Sequence, residues 1–73
     1  MPSLPRLTTK EISTALEKLG FVLVRQSGSH KIYKKDGKRV TVPSHSSKIL
    51  HPKVLKSIMR DAEIDVHQLQ ELL

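Results

Sequence analysis

The chain has 73 residues, near the lower limit at which one hydrophobic core holds a fold. It carries 13 Lys+Arg against 7 Asp+Glu, a formal net charge of +6, with one Phe, one Tyr, no Trp and no Cys. This excludes a disulfide framework, a thiolate metal site and a cysteine nucleophile, and a positive surface of this kind favours polyanions. No apolar run approaches the ~18 residues of a membrane span, and residues 1–9 lack a signal-peptide core, so a cytoplasmic domain is expected.

Residues 1–8 read as a mobile extension of a single domain that covers 1–73. Thr8 with Glu11 fits a capping box, and Ile12, Ala15, Leu16 and Leu19 then recur at helical spacing up to Gly20. Phe21-Val22-Leu23-Val24 is too short and too β-branched to continue that helix and reads as a strand. Gln26-Ser27-Gly28-Ser29 is turn chemistry, and a second strand follows from about His30 to Lys34. Asp36-Gly37 predicts a type I′ hairpin turn into a third strand, Arg39-Val40-Thr41-Val42, that stops at Pro43. Ile32 and Tyr33 have opposite parity, so one of them is expected to face the core and the other not. If Ile32 is the inward one, His30 leans inward with it.

After a polar loop, Pro52 suits the first position of a helix whose apolar stripe is Val54, Leu55, Ile58, Met59 and Ala62. Lys53, Lys56 and Arg60 lie on its polar side. Asp65 with Gln68 is a second capping box, leading a short helix with Val66, Leu69, Leu72 and Leu73 apolar. This order predicts an α+β domain, α-β-β-β-α with a short extra C-terminal helix, in which helices cover one face of a three-stranded antiparallel sheet.

The charge is unevenly placed. All 13 cations lie within residues 1–60, while residues 61–73 hold Asp61, Glu63, Asp65 and Glu71 and no cation. Between Arg25 and Arg60 the only acid is Asp36. A solvated surface accounts for this, but cations concentrated on strands and tight loops fit a phosphate-binding face better.

Few side chains here can do chemistry. His30, His45, His51 and His67 are too widely spaced for a zinc site by themselves, and no nucleophile elbow or P-loop is present. Metal-dependent phosphoryl transfer wants clustered carboxylates, which the basic segment lacks, so no metal and no cofactor is expected. Metal-free RNA cleavage suits the inventory, because the substrate's 2′-hydroxyl is its own nucleophile. The protein then supplies only proton carriers and cations. His30 follows a Gly-Ser turn beside Lys31, Lys34 and Lys35. On residue chemistry alone a structural or surface histidine is the stronger reading, ahead of catalysis and of passive phosphate contact.

The ordered set Gly20-Phe21, Gly28-Ser29-His30, Asp36-Gly37, Val40-Thr41-Val42-Pro43, His45 and Lys48–Leu50–Pro52 resembles the HicA (YcfA-like) toxins over roughly residues 9–73. The resemblance implies a double-stranded-RNA-binding-domain-like fold. It also implies an mRNA interferase, a metal-independent endoribonuclease neutralised by a HicB-type antitoxin, monomeric when free and hetero-oligomeric with that partner. It places the catalytic histidine at His30, with Gly28 and Ser29 shaping the turn, and matches His45 to a second recurrent histidine. Lys31, Lys34 and Lys48 are the cations expected to support the phosphate. The alternative is a non-catalytic RNA-binding module that uses the same basic face. One departure stands out: the family usually has Ala-Gly-Ile where this chain has Ala62-Glu63-Ile64. Without that Gly, the second helix is expected to run on or to bend differently, which leaves the last helix unplaced.

Overall fold

The structure is a computed structural model and describes residues 4–44 and 48–73. The elements follow in the expected order: α1 (Thr9–Lys18), β1 (Val22–Ser27), β2 (His30–Lys35), β3 (Lys38–Pro43), α2 (Pro52–Ala62) and α3 (Val66–Glu71). β1, β2 and β3 form one antiparallel sheet in that order, so β1 and β3 are both edges.

Local chemistry sets most of the boundaries. Thr8 and Glu11 form the reciprocal capping box at the start of α1, and Asp65 and Gln68 form the one that opens α3. Asp36 (φ 47°) and Gly37 (φ 80°) are both left-handed, as a type I′ turn requires, and they bring Lys35 opposite Lys38. Pro52 opens α2, where its missing N–H is one of the helix's orphan donors anyway. His51 caps it, with Nδ1 accepting from the Lys53 N–H at 3.1 Å.

The core lies on one face of the sheet. Tyr33, Val40 and Val42 pack with Ile12, Ala15 and Leu16 of α1, with Leu55, Ile58, Met59 and Ala62 of α2, and with Leu69 of α3. Leu7 is buried in the same cluster and its carbonyl accepts from the Leu50 N–H at 2.7 Å, so the residue two before α1 is fastened to the fold. Tyr33 is therefore the residue that faces the core. Ile32 faces away from it, as their opposite parity requires, and is nonetheless only 9% exposed. It lies on the other face, in a shallow depression with Val24, Arg25, Lys34 and Arg39, whose aliphatic stems shield it.

A bulge in β1 produces that cover. Leu23 pairs with Tyr33 and Arg25 with Ile32, so Val24 is the extra residue and both Val24 and Arg25 stand against Ile32. It also interrupts an edge strand whose Val22, Leu23 and Val24 are all exposed, a known protection against edge-to-edge pairing.

The end of α2 differs from the sequence expectation. The helix stops at Ala62, and Glu63 takes the left-handed conformation itself (φ 58°, ψ 47°). The Glu63 N–H donates to Arg60 at 3.1 Å and the Ile64 N–H to Met59 at 3.0 Å, the two bonds of a Schellman motif. Satisfying these carbonyls and turning the chain so that Leu69 reaches the core outweigh the steric cost at Glu63. The last helix is placed accordingly, and Lys18 Nζ holds its end by donating to the Leu72 carbonyl at 2.8 Å.

A strained glutamate predicts a stabilising change. Relief of a left-handed non-Gly residue is worth about 1–2 kcal/mol, less about 0.5–1 kcal/mol for the extra freedom of an unfolded glycine. The exposed Lys38–Glu63 pair, at 3.6 Å, offsets little of this. Glu63→Gly should raise the melting temperature by roughly 2 to 8 °C in a thermal melt. A lower melting temperature would show that the ion pair, not the backbone, dominates at this position.

Candidate active site at the β1–β2 turn

Gly28 and Ser29 form the two-residue connection between β1 and β2, across which Ser27 pairs with His30. Of the two, only Gly28 is left-handed (φ 57°), the pattern of a type II′ turn with glycine at its first central position. A Cβ built on Gly28 meets nothing within 4 Å, so the need for glycine here is conformational and not steric. Gly28 and Ser29 are therefore the turn that precedes His30, with Gly28 supplying its positive φ.

The turn is also fastened from its other side. His30 pairs with Pro43 of β3, the Ser44 N–H donates to the Ser29 carbonyl, and Thr9 Oγ1 donates to the Pro43 carbonyl at 2.6 Å. A helix start and two strand ends therefore fasten the backbone that presents the exposed His30 imidazole. Such a placement can move a proton to or from a bound molecule without any rearrangement of the backbone.

Strand alternation sorts the neighbouring cations. His30, Ile32 and Lys34 share the open face, while Lys31, Tyr33 and Lys35 point to the helix side. Lys35 serves the fold there, its Nζ donating to the Leu19 carbonyl at the end of α1. Lys31 adjoins His30 in sequence but lies in a cleft against α1. Lys34 is on the correct face but four residues along, about 13 Å at the rise of a strand. Lys48 is exposed and precedes Ile49, which bridges to Thr8. With the Thr9–Pro43 bond, this puts Lys48 at the same end of the sheet as His30. His45 lies outside the described residues. Of the other histidines, His51 caps α2 and His67 is exposed on α3.

Two cations that the sequence reading did not single out complete the open face. Arg25 and Arg39 join Lys34 around Ile32, and Lys34 is directly paired with Arg39. Like charges opposite one another on a sheet repel, and an anion bound over them removes that penalty. Among the described residues the ion pairs are Lys38–Glu63 and Arg60–Asp61, both at 3.6 Å, so these three cations have no carboxylate partner. The signal for Arg39 was its parity with Lys34 across the Asp36-Gly37 turn. Arg25 gave no such signal, because the bulge changes its face.

Among the described residues no helix is long and apolar enough to cross a membrane. No curated protein matches the chain. A family model described as the HicA toxin of bacterial toxin–antitoxin systems matches residues 9–64, which run from the first residue of α1 through the Schellman turn after α2 and include the whole His30 region. With more than half of its length matched by that model, the chain belongs to the family of HicA toxins of bacterial toxin–antitoxin systems.

Proposed function

We propose that this toxin is a metal-independent endoribonuclease that cleaves mRNA with His30 as its catalytic histidine, and that a HicB-type antitoxin neutralises it by covering the same surface. The observation that carries this reading is one exposed histidine on a fastened turn, at the end of a sheet face bearing Arg25, Lys34 and Arg39 and no acid.

In this reaction the 2′-hydroxyl oxygen of the RNA attacks the adjacent phosphorus and the 5′-oxygen of the next nucleotide leaves. His30 carries one of the two protons that move, and the other exchanges with solvent or with His45. The rate gain comes from that proton transfer and from cations near the crowded phosphate. Lys48 is at the His30 end of the molecule, whereas Lys34, Arg25 and Arg39 are far enough along the sheet to hold flanking phosphates instead. A flat cationic face of this kind binds backbone without reading bases, which suits single-stranded or locally opened RNA.

The decisive experiment is incubation of the purified wild-type protein with single-stranded RNA in excess EDTA. The expected result is progressive cleavage. RNA left intact under conditions where the protein binds it would leave a non-catalytic RNA-binding module in place of the enzyme.

A further inference from the structure

The other side of β2 carries a feature that the reaction above does not use. A cleft of about 490 Å³ opens between α1 and the β1–β2 edge, lined by Lys10, Ser13 and Glu17 of α1, Leu23 of β1, and Lys31 and Tyr33 of β2. Ser44 also lines it, and the Ser44 N–H is the group that donates to the Ser29 carbonyl. The cleft therefore begins beside the turn that carries His30.

Its lining is not that of a packing defect. Packing defects are apolar, whereas this one presents two ammonium groups, a carboxylate and several hydroxyls around a small apolar wall. Ser13 is only 6% exposed, and its Oγ is buried with no hydrogen-bond partner among the described residues. A helical hydroxyl has an easy local solution, donation to the carbonyl four residues earlier, and the adjacent Thr14 takes it with Lys10 at 3.0 Å. Ser13 does not. A buried, unpartnered hydroxyl on a residue that lines a charged cleft is a group that a bound ligand can satisfy.

The volume lies within the range of small-molecule sites. The chemistry selects an anion with polar and flat apolar parts. We infer that this cleft takes one nucleotide of the RNA, next to the linkage that is cut. Its phosphate pairs with Lys10 and Lys31, its base lies against the exposed Leu23, and a ribose or base polar group bonds Ser13 Oγ once the hydroxyl turns toward the cleft. Glu17 accepts from a hydroxyl or amino group, which favours a nucleotide over a bare phosphate. The inference rests on the ribonuclease reading, since it names a subsite for the same substrate. It gives Lys31 a role on the face opposite His30.

The test separates the two ideas. His30→Ala protein, which cannot cut, is titrated with adenosine 3′,5′-bisphosphate and with a short unstructured RNA, and the backbone amides are followed by NMR. The expected result is movement of the Ser13, Leu23 and Lys31 amides with both probes. Adding Ser13→Ala should weaken the bisphosphate by about 3- to 10-fold, the worth of one hydrogen bond, while raising the melting temperature because an unsatisfied buried hydroxyl is gone. Leu23 is 43% exposed, so it can be changed without opening the core. Leu23→Glu should weaken binding well beyond Leu23→Gln, which has the same shape without the charge. If wild-type protein cuts RNA but the bisphosphate leaves these amides unmoved, the ribonuclease reading stands and the subsite is overturned. If the bisphosphate binds in the cleft but no RNA is cut, the nucleotide site stands and the ribonuclease reading falls. Movement of the same amides by an acidic peptide and not by the nucleotide would give the cleft to a protein partner and overturn the inference.

Discussion

His30→Ala should lower RNA cleavage by about 10²- to 10⁴-fold, the usual worth of a positioned proton carrier, and leave the fold unchanged. The two halves of that expectation come from separate observations. His30 is exposed, so truncating it opens no cavity. Its backbone pairing with Ser27 and Pro43 does not involve the imidazole, so the turn stays fastened. RNA binding should also persist, because the cations of the open face sit farther along the sheet. His30→Gln is the sharper comparison: it keeps a hydrogen-bonding side chain of similar reach but cannot carry a proton at neutral pH. Time courses of cleavage in EDTA, set beside thermal melts of the same samples, measure both halves. If either variant cuts RNA as fast as wild type, another group carries the proton. If either lowers the melting temperature by many degrees, the histidine is a structural residue.

Features that depend on neighbouring residues were legible in the sequence, as was the three-stranded antiparallel sheet that the two tight connections imply, whereas which side chains meet across that sheet was not. The two capping boxes, the Asp36-Gly37 turn and the start of α2 at Pro52 each involve groups within a few residues of one another, so composition and spacing reveal them. The failures are non-local. The parity of Ile32 and Tyr33 sends one to each face, as found, but does not show that the open face is covered at Ile32. It is partly roofed by side chains brought together by the bulge at Val24. At Glu63 the expectation rests on intrinsic preference, which disfavours the left-handed region. The two Schellman bonds and the docking of Leu69 override that preference at one position. The site shows the same division. Gly28-Ser29-His30 is a contiguous motif and could be singled out. Arg25 is two residues after Leu23, and regular alternation would put both on the helix side. Only the inserted residue moves Arg25 to the open face beside Lys34 and Arg39. Ser13 follows Ile12 on a buried helix surface, and no pattern of residue types shows that its hydroxyl lacks a partner.

Leu16→Ala should be the most damaging single truncation in the helical layer. Leu16 has no exposed surface and belongs to the one cluster that joins α1, the sheet, α2 and α3. Removing its branched end costs about 2–5 kcal/mol, with the higher figures where the surroundings cannot collapse into the space. Here they have little freedom to do so. Phe21 is held in place by its own N–H donating to the Leu16 carbonyl at 3.0 Å, and Leu19 donates to the same oxygen at 3.1 Å. Alanine is the best helix former, so the backbone of α1 loses nothing and the measured deficit reports burial alone. A 73-residue domain is expected to have only about 4–11 kcal/mol in total, so the variant should sit near the edge of unfolding at 37 °C. Urea melts read this as a large fall in midpoint at constant slope. Leu73→Ala, at a residue 54% exposed, should change the midpoint by less than about 0.5 kcal/mol in equivalent terms. The site makes the comparison informative for function, because Leu16 touches neither the His30 turn nor the open face. Per folded molecule, Leu16→Ala should cut RNA as wild type does, while His30→Ala should be folded and inactive. A Leu16→Ala protein that stays fully folded and yet loses cleavage would show that the helical layer takes part in the reaction, beyond supporting the sheet that presents His30.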